Sequence, residues 1–112
     1  MNLELNSKRV LITGSSKGIG FSIASHFLNE GANVVLVARK EKELQYAHNK
    51  LAAKFGKDRV WSKSCDCSNS ESILELHKAI KDNFGGIDIV IANVGDGRSK
   101  PDPITEDEQW HR

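Results

Sequence analysis

The residues best suited to chemistry stand together near the front of the chain, in Thr13-Gly14-Ser15-Ser16-Lys17-Gly18-Ile19-Gly20. Their chemistry is that of binding an anion. Val10, Leu11 and Ile12, three apolar residues of which two are β-branched, run into this glycine-rich turn, and a helical pattern opens behind it. A buried strand that delivers a sharp loop to a helix N-terminus leaves free N–H groups and the positive end of the helix dipole at the loop, where a phosphate can sit. Gly14 permits the tight exit from the strand and Gly18 removes a side chain where a phosphate would press on the backbone. Gly20 lets the helix lie close against the sheet. Glycines at this spacing also serve as plain turn punctuation, and their position between a strand and a helix is what favours the phosphate.

The other chemically capable residues are scattered. The histidines at 26, 48, 77 and 111 share no ligand spacing, and His26 and His77 belong on or beside packed helix faces. Cys65 and Cys67 sit two apart, on the same face if this is a strand, and are poorly placed to bridge each other. No second Cys or His pair completes a zinc pattern. Asp96, Asp102, Glu106, Asp107 and Glu108 suit a loop and a helix start and need no metal, and Trp110 suits a core or interface. The plain expectation is a reduced, cytoplasmic protein without a metal.

Composition narrows the classes. A chain of 112 residues is one domain at most, and 38% hydrophobic with 28% charged residues is ordinary for a globular protein. Sixteen Lys and Arg against fifteen Asp and Glu leave a formal charge of +1, which removes any broad electrostatic case for nucleic acid or an anionic membrane. No apolar run approaches the roughly 18 residues needed to span a bilayer. Residues 1–8 are polar and short and do not read as a signal peptide.

The elements that must position the loop can be read in order. A strand ends at Thr13, and a helix over 18–29 follows with Ile19, Ile23, Phe27, Ala24 and Leu28 as its apolar face and Gly31 as its stop. Residues 33–38 form a second strand whose run Val34-Val35-Leu36-Val37 does not alternate, the mark of a strand covered on both faces. A helix over 42–55 buries Leu44, Ala47, Leu51 and Phe55, with Gly56 behind it. The third strand, 59–65, is less apolar and suits an edge. Ser68-Asn69-Ser70-Glu71 reads as a capping box that starts a third helix, with Ile73, Leu76, Ile80 and Phe84 inward and Gly85-Gly86 ending it. Residues 87–92 are a fourth apolar strand. Gly, Asp, Ser, Lys and Pro then mark an exposed loop over 93–104, and Thr105-Glu106-Asp107-Glu108 is a second capping box, so that a fourth helix starts near Glu106 and is cut at Arg112. Strands and helices alternating through short connections demand parallel strands and right-handed crossovers. The expected fold is a Rossmann-type, doubly wound parallel α/β sheet of four strands in the order 3-2-1-4, its ligand crevice at the carboxyl ends where the order reverses.

These residues resemble the short-chain dehydrogenases/reductases. The stretch from Thr13 to Gly20 matches the T-G-x-x-x-G-x-G cofactor loop of that family. It is backed by Asp66 just after the third strand and by the run from Asp88 to Gly95, similar to a D-x-x-x-N-N-A-G element. The resemblance covers essentially the whole chain, but only the front, dinucleotide-binding half of the family domain. It implies that Gly14, Ser16, Lys17, Gly18, Ile19 and Gly20 form the cofactor loop, Ser16 and the Ile19 backbone meeting pyrophosphate and ribose. It further implies that the Asp66 carboxylate, with Cys67 beside it, accepts from the adenine amino group, and that Asn93 and Gly95 line the ribose and nicotinamide side. Two residues depart from the element: Ala92 stands where the family has its first Asn, and Val94 where it has Ala.

The end of the second strand bears on which dinucleotide is bound. A carboxylate there would bind the 2′-hydroxyl of NAD and repel the extra phosphate of NADP, but the chain reads Val37-Ala38-Arg39-Lys40, with no acid before Glu41. Arg39 can fork onto a phosphate and Lys17 can reach the same group, so NADP is expected in preference to NAD. The same charge pattern disfavours an S-adenosylmethionine or flavin domain. For catalysis the family uses a Ser and a Y-x-x-x-K pair on later elements. Tyr46-Ala-His-Asn-Lys50 does spell that pair, yet at about 100° per residue Tyr46 and Lys50 fall opposite the buried stripe of their helix and face water. No catalytic residue is therefore assigned within the chain.

The intact protein is accordingly expected to be an NADP(H)-dependent oxidoreductase moving hydride between nicotinamide and a carbonyl or hydroxyl carbon of a small molecule. The alternative is a non-catalytic dinucleotide- or partner-binding module complete at 112 residues. The uncovered edge of the fourth strand favours a homo-oligomer.

Overall fold

Four strands and three helices alternate along the chain: β1 (Arg9–Thr13), α1 (Gly18–Asn29), β2 (Asn33–Ala38), α2 (Glu41–Phe55), β3 (Val60–Ser64), α3 (Ser70–Asn83) and β4 (Ile89–Ile91). They are seen in a computed structural model that describes residues 6–16 and 18–93. All pairings are parallel and the sheet runs β3-β2-β1-β4. β1 is flanked on one side by β2, with Leu11 opposite Val35, and on the other by β4, with Leu11 opposite Val90. The order reverses between β1 and β4, and the glycine loop that starts at Gly14 leaves the sheet at that point.

The non-alternating apolar runs have the anticipated cause. Side chains point alternately to the two faces, so Val10, Ile12, Val34 and Leu36 pack with Ala24, Leu28, Leu44, Ala47 and Leu51 of α1 and α2. Leu11, Val35 and Val37 pack with Ile73, Leu76 and Ile80 of α3. Each fully buried Leu, Ile or Val contributes roughly 1.5–3 kcal/mol, which fixes strand register by forbidding a one-residue slip. β3 lies at an edge as its composition implied, half-buried from Trp61 to Ser64. Trp61 stacks on Phe84, ring centroids 6.3 Å apart. Among the described residues no helix is long and apolar enough to cross a membrane, and no group of three His, Cys, Asp or Glu side chains could hold a metal.

Three local expectations need correction. The cap of α3 is Asn69, whose side chain accepts from the Ser72 N–H at 3.0 Å. Ser68 belongs to the preceding turn, where its N–H and hydroxyl both donate to Asp66 Oδ1 at 3.0 and 2.7 Å. β4 is the short Ile89–Ile91, since Asp88 is taken by Arg9 instead of the ladder. Ile19 is 72% exposed and leaves the buried face of α1 to Gly20, Ala24 and Leu28. Cys65 and Cys67 both pack on the α3 side of the core, on one face as residues two apart in extended chain should be. The second capping box, the fourth helix and Trp110 lie outside the described residues.

The amino end of the β1–β4 pair is closed by charge. Arg9 N–H donates to Asp88 Oδ2 at 2.8 Å, Asp88 N–H donates to the Arg9 carbonyl at 2.8 Å, and the guanidinium Nε lies 3.3 Å from the same carboxylate oxygen. Burial pushes the Asp88 carboxyl up, but the Arg9 N–H and guanidinium outweigh it and hold it below the usual carboxylate range.

Candidate functional site at the carboxyl ends of the strands

The carboxyl ends of all four strands are stitched together by short polar contacts. At β4, the Thr13 hydroxyl accepts from Asn93 N–H at 2.8 Å and donates to the Asn93 carbonyl at 3.2 Å. The Asn93 side-chain amide donates to the Gly14 carbonyl at 3.3 Å. At β2, buried Ser15 accepts from Val37 N–H through its hydroxyl at 2.9 Å, and its own N–H donates to the Val37 carbonyl at 3.2 Å. At β3, Cys65 N–H donates to the Ala38 carbonyl at 3.0 Å and the Ser64 hydroxyl to the Arg39 carbonyl at 3.1 Å. One continuous seam therefore runs from Asn93 through the glycine loop to Arg39 and Asp66.

The glycines within the seam do different work. Gly14 has φ +60°, and a methyl group there would lie 2.6 Å from the Asn93 carbonyl oxygen. A methyl group on Gly20 would collide with the Gly14 backbone carbonyl and press on the Asn93 amide. The closeness that Gly20 permits is thus between α1 and the loop itself, which corrects the expected contact of helix with sheet. Gly18 is the opposite case: with φ +65° it needs glycine for its backbone, yet a methyl group there would meet nothing within 4 Å. Space over the backbone opens at the head of α1, where the first N–H groups of a helix have no intrahelical acceptor. The Ser15 amide is already spent on Val37, so the amides that can meet an anion are those of the later loop and the first turn.

Arg39 is exposed immediately after β2, and its carbonyl is fixed by Ser64. Asp66 lies in the turn after β3, where its carbonyl accepts from Asn69 N–H at 3.0 Å and Oδ1 accepts from Ser68. Cys67 follows it, half-buried against the α3 side of the core. Gly14, Ser16, Gly18, Ile19, Gly20, Arg39, Asp66, Cys67 and Asn93 thus all fall at the carboxyl side of the sheet. Lys17 and Gly95 lie outside the described residues.

Tyr46 is 69% exposed, with the Lys50 ammonium 6.0 Å from its ring centroid, so the pair faces water as the helical periodicity implied. With Lys42 and Glu43, Tyr46 also walls an open hollow of about 360 Å³ whose other wall is Ser16. Thr13 and Ser15, the two hydroxyls that fix the loop, were missed. The sequence signal for them is slight: a small hydroxyl residue on either side of the first glycine.

Comparison with known proteins gives a consistent set of matches. A family model described as short chain dehydrogenase matches residues 8–112. A chloroplastic chlorophyll(ide) b reductase of Oryza sativa subsp. japonica is 37% identical over 97 residues, 87% of this chain and 28% of the relative. A fatty acyl-CoA reductase of Mycobacterium tuberculosis is 37% identical over 110 residues, 97% of this chain and 36% of the relative. The crystal structure of L-sorbose reductase from Gluconobacter frateurii, complexed with NADPH and L-sorbose, superposes with a TM-score of 0.82 at 38% identity, covering 98% of this chain and 41% of that one. The chain spans well under half the length of each of the three.

Proposed function

Because this chain belongs to the short-chain dehydrogenase family, we propose that the whole protein is an NADP(H)-dependent oxidoreductase acting on a carbonyl or hydroxyl carbon, and that residues 1–112 are its dinucleotide-binding half. The observation that carries this reading is the open backbone at Gly18 at the head of α1, in a loop that Ser15 ties to Val37, two residues before Arg39. Ser16 and the first-turn amides of Gly18 and Ile19 hold the diphosphate. The Arg39 guanidinium, joined by Lys17, takes the 2′-phosphate. The Asp66 carboxylate, with Cys67 next to it, accepts from the adenine amino group. Asn93 and Gly95 border the ribose and nicotinamide, and Asn93 also holds the Gly14 carbonyl in place. A bound nicotinamide dinucleotide supplies the hydride chemistry.

NADP is preferred over NAD because the exposed residue at the end of β2 is a guanidinium and no acid precedes Glu41. The L-sorbose reductase solved with NADPH supports the same choice. We assign the acid–base residues of the reaction to the protein outside residues 1–112, since Tyr46 is exposed on α2 and the Lys50 ammonium lies nearer the Phe21 ring, at 5.7 Å, than that of Tyr46.

Calorimetric titration of NADPH and NADH against the chain and its Arg39→Ala variant tests the assignment. Loss of a charge-assisted contact weakens NADPH by about 10- to 100-fold and leaves NADH unchanged. Equal binding of the two dinucleotides, insensitive to the substitution, overturns it.

A further inference from the structure

The hollow of about 360 Å³ between the glycine loop and α2 has Ser16 as its loop wall and Lys42, Glu43 and Tyr46 as its α2 wall. Its size is at the lower end for a small-molecule site. Charge is unevenly spent along the α2 wall. Glu43 is half-buried and lies 3.9 Å from the ammonium of Lys40, three residues before it. Lys42 is exposed and makes no ion pair among the described residues. The sequence gives the reason, since the positions three and four further along α2 hold Gln45 and Tyr46, neither of them an acid. Lys40 thus offsets the carboxylate in the wall, and the charge of Lys42 is left for whatever enters the hollow. Under the NADP(H) reading Ser16 meets the diphosphate and Arg39 the 2′-phosphate. The group that can enter a hollow bounded by the loop and by the turn after Arg39 is then the 2′-phosphate.

We propose that Lys42 is a specificity-determining residue for the dinucleotide, its ammonium reaching into the hollow toward the 2′-phosphate that Arg39 also grips, and that Lys40 supports the preference by neutralising Glu43. The proposal rests on the NADP(H) reading and adds residues of α2 to it. An ammonium on a flexible stem supplies a point charge and no fork, so the share of Lys42 is smaller than that of Arg39. Lys40 is a positioning residue. It acts through Glu43, whose carboxylate, left unscreened, would repel a phosphate in the same hollow. NAD carries a hydroxyl in place of that phosphate, so neither lysine bears on its affinity. In an open hollow the attraction is screened by salt.

Calorimetric titration of NADPH and NADH against the chain and its Lys42→Gln, Lys42→Arg, Lys40→Gln, Glu43→Gln and Lys40→Gln/Glu43→Gln variants tests this. Lys42→Gln should weaken NADPH about tenfold in low salt and less in high salt, with NADH unchanged, and Lys42→Arg should retain NADPH binding. Lys40→Gln should weaken NADPH about two- to threefold, and the effect should vanish once Glu43 is also replaced, the coupling expected of a residue that works through another. Equal weakening of both dinucleotides by Lys42→Gln, or a Lys40→Gln effect that persists without Glu43, overturns the proposal. So does an NADPH affinity that Lys42→Gln leaves unmoved while Arg39→Ala lowers it, and in that case the NADP(H) reading stands. If the parent chain binds the two dinucleotides equally and Arg39→Ala changes nothing, both fall.

Discussion

The two ends of the β1–β4 pair are fastened by different chemistry. At the amino end a guanidinium and a carboxylate, Arg9 and Asp88, exchange backbone and side-chain hydrogen bonds. At the carboxyl end the same two strands are joined by a neutral hydroxyl and a neutral amide, Thr13 and Asn93. Either chemistry can close a parallel pair, so the difference reflects what else each end must do. A carboxylate beside the head of α1 would oppose an incoming phosphate, and a buried guanidinium would compete with the amides for it. Neutral fastening leaves the local field to the helix terminus and to Arg39.

Breaking the carboxyl end should cost most. Gly20→Ala drives a methyl group into the Gly14 carbonyl, a backbone atom that cannot swing away. The expected loss is about 3 kcal/mol, a fall in Tm of roughly 12–24 °C, with NADPH binding lost alongside, measured by thermal melting and titration. Thr13→Val comes next: it keeps the shape but leaves the Asn93 N–H without its 2.8 Å acceptor, costing about 1–3 kcal/mol and weakening NADPH, whereas Thr13→Ser retains both. Asp88→Asn is milder and should leave NADPH affinity at pH 7 unchanged. Its signature is in acid. The folded Asp88 carboxyl titrates below its unfolded value of about 3.9, so the stability it contributes is complete above that pH and is lost as pH falls through the folded value. Melting curves of the variant should lack that part of the acid loss. The smallest effect is His48→Gln, remote from both ends. Burial depresses the His48 imidazole, which sits 2.8 Å from the Ser62 hydroxyl, so its contribution is present above about pH 6.5 and fades as pH falls toward the depressed value. Melting the variant from pH 7.5 to 5 should show a slightly flatter profile than the parent.

Much of this layout was legible in the residues because the strand signals are strong and local. Val34-Val35-Leu36-Val37 is apolar without alternation because helices cover both faces, and the sheet order follows from the alternation of strands and helices. The positions of Arg39 and Asp66 follow from counting to the ends of β2 and β3. What could not be read are contacts made across long separations. Ser15 reaches Val37 and Thr13 reaches Asn93, pairings that only the assembled sheet brings together. Competition between neighbouring polar groups was equally hidden. Ser68 looked like a helix cap, but Asn69 accepts from the first turn while Ser68 turns to Asp66, and Gly20 looked like a helix–sheet contact until the loop carbonyl proved to be what it clears. Where two readings of a residue are both locally sensible, tertiary partners decide between them.

Amide chemical shifts followed by nuclear magnetic resonance during an NADPH titration test the account most directly, because they report on both ends of β1 in one sample. The account predicts that Ser16, Gly18, Ile19, Arg39 and Asn93 move together in saturable fashion while Arg9, Ile87 and Asp88 stay still. Shifts concentrated at Arg9 and Asp88, or a glycine loop that ignores saturating NADPH, would contradict it.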